Sequence, residues 1–391
     1  MIKQAVIFAG GQGIRLRPYT LTTPKPMIPF YGKPFLEYTI QELKSNGIEE
    51  IILLVGYLHE KIEEYFKDGS KFGVSIIYSY SPLEADTGTR LRNARHLFKR
   101  HILLLYGDNY WPLELKQLRK FYKKMNLPAS ITGYSNHDRS TTNNLRIGTN
   151  GIVELYDRKR KEKNVNAVDI GFFIIDKKIL MSLPTGNFSF EDIIIQKLVH
   201  SKQLAGYLTH HKYYGLSNLE RIPIIENFFK PKKIVFLDRD GVINKKAEKA
   251  KYITKWEEFI FLPKVKEALK ILKQKGYDIY IITNQAGVSR RIVTVEQIKT
   301  IHQRMIEELQ KYHISINGIY MCTHGWDEGC FCRKPKPGLL FKAASENHIN
   351  LFESHFIGDD LRDVKAGKAA NTKTYLVNSK KNLFHIASNY L

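Results

Sequence analysis

The sequence predicts an α/β fold built as two doubly wound parallel-sheet domains in tandem. Short β-branched runs alternate with helical-period segments almost from end to end, which is the pattern of parallel sheets covered by helices. The length of 391 residues suits two or three domains, at roughly 150 residues each. A seam rich in Pro and Lys, with Pro223 and Lys230-Pro231-Lys232-Lys233, precedes a fresh strand that opens a second set of motifs. The expected domains are 1–228 and 229–391.

Strands are expected at Ala5–Ala9, Ile51–Val55, Ser75–Tyr80, Ile102–Tyr106 and Ala129–Gly133 in the first domain. In the second they are expected at Ile234–Leu237, Asp278–Thr283, Gly318–Cys322 and Ser354–Ile357. The longest apolar runs, Ile51–Val55 and Ile102–Tyr106, fall far short of the roughly 18 residues a membrane helix needs. Ala5–Ala9 is too short for a signal-peptide core and runs into Gly10 and Gly11 without a cleavage pattern. All three cysteines lie between Cys322 and Cys332, which argues against a disulfide framework and for a reducing compartment, the cytoplasm. The formal charge is +22, from 61 Lys and Arg against 39 Asp and Glu. These cations are spread along the chain with no basic tract, basic tail or recognition-helix pattern, so neither nucleic acid nor membrane is expected as a partner. Solvated surface, and steering of small phosphorylated substrates, account for them better.

The first strand ends in Gly10-Gly11-Gln12-Gly13-Ile14-Arg15-Leu16-Arg17-Pro18-Tyr19-Thr20, followed by Pro24-Lys25-Pro26-Met27. Glycines at a strand end let backbone N–H groups approach phosphate, and Arg15 and Lys25 can neutralise a triphosphate. Leu16 stands where a dinucleotide fingerprint needs its third glycine, and no Gly-Lys-Ser/Thr makes a Walker loop. Together with Gly32-Lys33-Pro34-Phe35-Leu36-Glu37-Tyr38, these runs closely resemble the sugar-1-phosphate nucleotidyltransferases, especially the mannose- and heptose-1-phosphate guanylyltransferase branch. The resemblance implies a Rossmann-like fold, attack of a sugar phosphate on the α-phosphorus of a nucleoside triphosphate, GTP favoured, and release of pyrophosphate. It assigns Gly10, Gly11 and Gly13 to nucleotide binding, Arg15 to the departing phosphates, Lys25 to the α-phosphate, and Asp108 to Mg²⁺.

The pattern is not followed throughout. The second metal aspartate of the family falls in Tyr214-Gly215-Leu216-Ser217, where Gly215 cannot bind a metal. The Leu-Gly-Thr-Gly-Gly-Ala loop corresponds to a shortened Thr87-Gly88-Thr89-Arg90-Leu91. The Glu-Lys-Pro that commonly meets the sugar becomes Tyr156-Asp157-Arg158-Lys159. Asp169 is open to two readings, a replacement carboxylate or a surface residue at a strand end.

In the second domain, Ile234–Leu237 leads into Asp238-Arg239-Asp240-Gly241. Two aspartates one residue apart at a strand end can share Mg²⁺, one as nucleophile and one as general acid–base. Thr283-Asn284-Gln285, Arg333-Lys334-Pro335 and Gly358-Asp359-Asp360 with Asp363 follow in order at later strand ends. This set resembles the haloacid dehalogenase superfamily of aspartyl-phosphate phosphatases. The resemblance makes Asp238 the nucleophile and Asp240 the acid–base, with Thr283 and Lys334 on the phosphoryl oxygens and Mg²⁺ on Asp238, Asp359 and the Asp240 carbonyl. Asn284 and Arg333 are expected to touch substrate, Lys336 to stand outside the site, and Asp360 and Asp363 to support it or merely face water.

Cys322-Thr323-His324 and Cys330-Phe331-Cys332 can place four ligands around one structural, tetrahedral Zn²⁺; free thiols beside a surface histidine are the alternative. With this loop, and little room for a cap, the domain resembles the capless phosphatases that act on D-glycero-D-manno-heptose 1,7-bisphosphate or on histidinol phosphate. Removal of the 7-phosphate would leave the acceptor that the first domain needs. The expected function is therefore a bifunctional enzyme making nucleotide-activated heptose for surface polysaccharide. The alternatives are a phosphatase whose first domain only binds nucleotide or sugar phosphate, and a histidinol-phosphate phosphatase joined to an unrelated transferase. Nucleobase, anomer and oligomeric state stay open.

Overall fold

The computed structural model describes residues 2–248 and 251–391. The chain divides into two compact units, Met1–Lys230 and Pro231–Leu391.

The first unit is organised on a seven-stranded sheet. Its strands are β1 (Gln4–Phe8), β2 (Glu50–Val55), β3 (Ser75–Tyr80), β4 (His101–Tyr106), β5 (Ala129–Tyr134), β6 (Val168–Asp176) and β7 (Leu204–Thr209). They lie side by side in the order β7-β5-β6-β4-β1-β2-β3. Val6 of β1 pairs with Ile52 on one side and Leu104 on the other, both in parallel. β6 runs antiparallel to β4 and β5, so the sheet is mostly parallel with one reversed strand. β6 and β7 had no counterpart among the strands expected from sequence.

Alternation along the strands divides the core between two faces. Ala5 and Ile7 pack with Leu36 and Ile40 of α1 (Phe35–Ser45) and Ile62 of α2 (His59–Phe66). Val6 packs on the opposite face with Leu91 and Ala94 of α3 (Thr87–Ala94) and with Phe173. Each fully buried Leu, Ile or Phe contributes about 1.5–3 kcal/mol. A satellite cluster of Leu16, Ile28, Phe35, Tyr214 and Leu216 anchors the loop after β1 from beneath. Thr87–Leu91, expected as a loop, is instead the opening of α3; Leu91 and Ala94 on the apolar face of that turn hold it helical against the sheet.

The second unit has a five-stranded parallel sheet in the order β10-β9-β8-β11-β12. The strands are β8 (Lys233–Leu237), β9 (Tyr277–Asn284), β10 (Gly318–Cys322), β11 (His355–Gly358) and β12 (Lys373–Leu376). Phe236 pairs with Tyr280 and Phe356 on its two sides. Both faces are covered: Val235 and Leu237 meet Leu269 and Ile298, while Phe236 meets Leu340 and Ala343.

In each sheet the first strand in sequence lies inside, with the chain leaving to one side and returning on the other. Open α/β sheets bind ligands at such a reversal, beyond the carboxyl ends of the strands. In the first unit the loops after β1 and β4 meet there, and Gly107 donates its N–H to the Phe8 carbonyl at 2.9 Å. In the second the loops after β8 and β11 meet, and Asp238 donates its N–H to the Ile357 carbonyl at 2.9 Å.

Candidate active sites

Gly10, Gly11, Gly13, Arg15, Lys25 and Asp108 all line one cleft of about 620 Å³ in the first unit. Leu16 is fully buried, which leaves its neighbour Arg15 exposed at the cleft. The Lys25 ammonium pairs with the Asp108 carboxylate. This cation is therefore held at the mouth of β4, beside the single acidic group expected to take metal.

Arg15, Thr87, Tyr106, Asp108 and Ser217 are shared with an adjoining cleft of about 500 Å³. Its wall includes Tyr156, Arg158, Asp169, Gly215 and Arg221. Asp169 is thus no outward-facing strand-end residue. It accepts hydrogen bonds from the Gly171 N–H at 2.8 Å and the Tyr156 hydroxyl at 3.2 Å. Burial pushes its carboxyl up to about 6, with these two bonds pulling the other way. At 215 there is no carboxylate, and a Cβ there would come 2.8 Å from Asn109 Oδ1. The Asn109 side chain, which donates to the Ile170 carbonyl at 3.0 Å, fills that space. The cleft does not fit a metal held by carboxylates at both family positions; Asp108 stands alone of the two.

In the second unit the four motifs converge. Lys334, 3% exposed, bridges Asp238 Oδ1 and Asp363 Oδ1, each at 2.7 Å. Asp363 is itself buried, and its other oxygen accepts the backbone N–H groups of Asp359 and Asp360 at 3.1 and 3.0 Å. It ties the lysine to the Asp359 turn, while Asp360 caps the helix Leu361–Ala369 and pairs with Arg362. Lys334 is held protonated by the two carboxylates against the effect of burial. Burial raises Asp238, Lys334 opposes it, and Asp363 and Asp240 add to the rise.

Asp240 is held by three side chains. Arg239 Nη2 donates to both carboxylate oxygens at 3.0 Å, Asn244 donates at 2.9 Å and Gln285 at 3.0 Å. Burial alone would raise Asp240, yet these donors, led by Arg239, keep it below the usual carboxylate range. Arg239 is 1% exposed, and its Nη1 lies 3.0 Å from Nε2 of a buried His302. Gly241 at φ 94° closes the turn, where any Cβ would run into the Asp359 carboxylate. The Thr283 hydroxyl accepts from Gln285 at 2.8 Å.

Sequence reasoning missed Arg239, Asn244 and Gln285. Their neighbours in the motifs were legible, but nothing in the spacing says which way they turn. Asn284, expected on substrate, exchanges two 3.1 Å hydrogen bonds with the Lys334 backbone and so fixes the lysine loop. Arg333 donates to the His324 carbonyl at 3.1 Å. Lys336 bonds the Gly329 carbonyl, away from the carboxylates.

Two donor sets suit metal ions. Carboxylate oxygens of Asp238, Asp359 and Asp363 lie within 4.8 Å of one another. Among the described residues Asp359 Oδ1 is buried without a hydrogen-bond partner, and its Oδ2 meets the Lys246 ammonium at 2.5 Å. Such an orphaned anionic oxygen fits Mg²⁺. The ligand atoms of Cys322, His324, Cys330 and Cys332 also lie within 4.8 Å of one another. Five of their separations run from 3.2 to 3.7 Å. A tetrahedral ion with bonds of about 2.3 Å sets edges of roughly 3.7 Å, so the set fits Zn²⁺.

A family profile described as nucleotidyl transferase matches residues 4–257. The chain belongs to the nucleotidyl transferase family. A second profile, polynucleotide kinase 3 phosphatase, matches residues 233–382. The D-glycero-beta-D-manno-heptose-1,7-bisphosphate 7-phosphatase of Helicobacter pylori is 41% identical over 146 residues, covering 37% of this chain and 83% of that protein. The D-glycero-alpha-D-manno-heptose-1,7-bisphosphate 7-phosphatase of Campylobacter jejuni is 41% identical over 150 residues, covering 38% and 84%. These relatives put the second unit in the family of heptose-1,7-bisphosphate 7-phosphatases. HddC from Yersinia pseudotuberculosis has the fold of the first unit, with a TM-score of 0.51 at 22% identity over 59% of this chain and all of that one. A nucleotidyl transferase is thus joined to a phosphatase, and the chain is an enzyme of both families.

Proposed function

We propose that the second unit removes the 7-phosphate of D-glycero-D-manno-heptose 1,7-bisphosphate and that the first transfers a nucleotidyl group to the resulting heptose 1-phosphate. The product would be a nucleotide-activated heptose for surface polysaccharide. One observation carries the reading: a unit 41% identical to heptose bisphosphate phosphatases shares a chain with a nucleotidyl transferase. The product of the one is an acceptor for the other.

For the phosphatase we propose that Asp238 attacks phosphorus while the sugar–oxygen bond to phosphorus breaks. Asp240 gives the leaving alkoxide a proton, for which it must first be protonated against the pull of Arg239, and then takes one from the water that cleaves the aspartyl phosphate. Lys334 and Thr283 hold the phosphoryl oxygens. Mg²⁺ on Asp238, Asp359 and the Asp240 carbonyl would supply charge neutralisation. Zn²⁺ on Cys322, His324, Cys330 and Cys332 would hold the Arg333-Lys334 segment in place, with Arg333 on the His324 carbonyl and Lys334 buried between Asp238 and Asp363.

For the transferase we propose that an oxygen of the sugar 1-phosphate attacks the α-phosphorus and pyrophosphate departs. Arg15 meets the departing phosphates and Lys25 the charge growing at the α-phosphate. Gly10, Gly11 and Gly13 approach the nucleotide, and Mg²⁺ would be held by Asp108. GTP is favoured on the loop resemblance, and a structure of the like-folded HddC is complexed with GMP-PN. Relatives named for both anomers match at the same 41%, so the anomer is left to experiment. No helix among the described residues is long and apolar enough to cross a membrane. With its thiols unpaired, the enzyme is proposed to work in the cytoplasm.

A second reading, phosphatase activity alone, is favoured by the absent carboxylate at Gly215. One experiment decides between them. Full-length protein is given each anomer of the bisphosphate, Mg²⁺ and a panel of nucleoside triphosphates, with phosphate and pyrophosphate followed separately. Release of both supports the bifunctional enzyme, whereas phosphate alone with every triphosphate supports the second reading. Asp238→Asn should then stop phosphate release while leaving transfer to supplied heptose 1-phosphate intact.

A further inference from the structure

Arg90 is the charged residue of the altered Thr87–Leu91 segment, and the structure buries it to 5% exposure beneath the first cleft, whose wall it joins. Its guanidinium is surrounded by main-chain carbonyls. Nη1 donates to Val55 at 2.9 Å, Nε to Ala85 at 2.9 Å, and Nη2 to Pro82, Gly10 and Leu83 at 3.1, 3.3 and 3.4 Å. One side chain thereby joins the loop after β1, the end of β2 and the Pro82–Ala85 segment. Gly10, Leu83 and Ala85 all line the same cleft.

Two glycines are shaped to this side chain. A Cβ on Gly10 would run into the guanidinium, and one on Gly56 would stand 2.7 Å from Nη1. Gly10 therefore lacks a side chain for the sake of Arg90 as much as for any phosphate. Among the described residues no carboxylate lies within ion-pair distance of it; Asp86 acts on it only from further off. A buried cation without a paired anion is costly, and carbonyl dipoles replace water only in part. The cleft above it, carrying Arg15 and Lys25 as well, is where an anion would complete the balance.

We propose that Arg90 is a positioning residue for nucleotidyl transfer, which clamps the glycine loop to the Pro82–Ala85 wall and whose charge is balanced by a bound nucleoside triphosphate. This rests on reading the cleft as the nucleotide site. The clamp fixes the separation of the two walls, and the charge draws the triphosphate between them. Lysine at this position keeps the charge but concentrates its three donors at one point, so it cannot span Val55, Gly10 and Ala85 together. Methionine keeps neither property.

The test uses the full chain with supplied sugar 1-phosphate, Mg²⁺ and the triphosphate that the wild type uses best, and measures pyrophosphate release. Arg90→Lys should keep its KM for the triphosphate within about threefold of wild type while kcat falls at least tenfold. Arg90→Met should lose kcat and also raise KM at least tenfold. Millimolar guanidinium ion should restore part of the kcat of Arg90→Ala. A role in folding alone would lower the melting temperature without this division between kcat and KM and without rescue. Wild-type kcat in Arg90→Lys overturns the proposal, and so does loss of fold in both Lys and Met variants, which would assign the side chain to the core. A wild-type protein that releases no pyrophosphate with any triphosphate refutes the nucleotide reading itself, and this proposal with it.

Discussion

Asp363→Asn is the sharpest probe of how the phosphatase site is held together. The native carboxylate receives the Lys334 ammonium at 2.7 Å on one oxygen and two backbone N–H groups, of Asp359 and Asp360, on the other. A carboxamide has a single acceptor oxygen. If the oxygen faces Lys334, the new NH₂ points at the backbone donors; if it faces the backbone, the NH₂ points at an ammonium. Hydrogen bonds to charged groups contribute about 1.5–3 kcal/mol, and breaking one side of a buried ion pair costs about 3–5 kcal/mol. These overlap, so the expected loss is about 3–5 kcal/mol, a sizeable part of the roughly 5–15 kcal/mol available to a domain. Hydrogen exchange at the amides of β8 and β11 reads it directly, as a drop in opening free energy. Lys334 would also lose its second anchor. A shift of about 1 Å at such a group costs on the order of 10²-fold in turnover, to be read as phosphate release. Nucleotidyl transfer, served by the other unit, should be unchanged. Wild-type exchange protection together with wild-type phosphate release would refute the assignment of Asp363 as the support of Lys334.

Three further outcomes follow from the same geometry. Lys25→Ala should cost about 10²-fold or more in pyrophosphate release with phosphate release unaffected, and equal transfer rates in mutant and wild type would remove Lys25 from the site. Protein from zinc-containing medium should carry about one tightly held zinc per chain by elemental analysis. Cys330→Ser should lose it and lose phosphatase activity while Asp238, Asp240 and Asp359 stay untouched; a metal-free, fully active wild type would refute the site. His302, 6% exposed, is pushed down from 6.5 to about 3 by burial and then by Arg239. Below pH 6.5 the unfolded chain takes a proton that the folded one refuses, so stability falls as pH falls, by about 2 kcal/mol at pH 5. His302→Gln should flatten that slope in urea unfolding followed from pH 7 to pH 5, and an unchanged slope would contradict the neutral, buried imidazole.

Most of the groups readily found in the sequence sit within a few residues of a strand end; Lys25 and Lys334, 17 and 12 residues beyond one, were read instead from their Pro-Lys-Pro and Arg-Lys-Pro motifs. Gly10, Gly11 and Gly13, Asp108, Asp238 with Asp240, Thr283 and Asp359 were legible because apolar β-runs mark the strands. Parallel sheets bring the carboxyl ends of those strands to one edge, whatever the intervening chain. The spacing of Cys322, His324, Cys330 and Cys332 was local enough to bring four ligand atoms together without knowledge of the fold. Helix α3 was harder to see, because Gly88 and Thr89 read as turn residues in a short window, while Leu91 and Ala94 gain their helical context only from packing against the sheet.

What the sequence determined by itself was therefore the pair of α/β domains and the chemistry carried by short, contiguous motifs, since strand periodicity and motif spacing are local properties of the chain. The tertiary structure alone decided the reversal of β6, the entry of Asp169 into a cleft wall, and the filling of the space at Gly215 by Asn109. It alone turned Arg90, Arg239, Gln285 and Asp363 inward onto partners 35 or more residues away in several cases, as with Arg90 and Val55 or Arg239 and His302. A polar side chain in a turn costs nearly the same whichever way it points until packing removes water from one side. Only then do unpaired carbonyls, carboxylates and imidazole nitrogens select its direction.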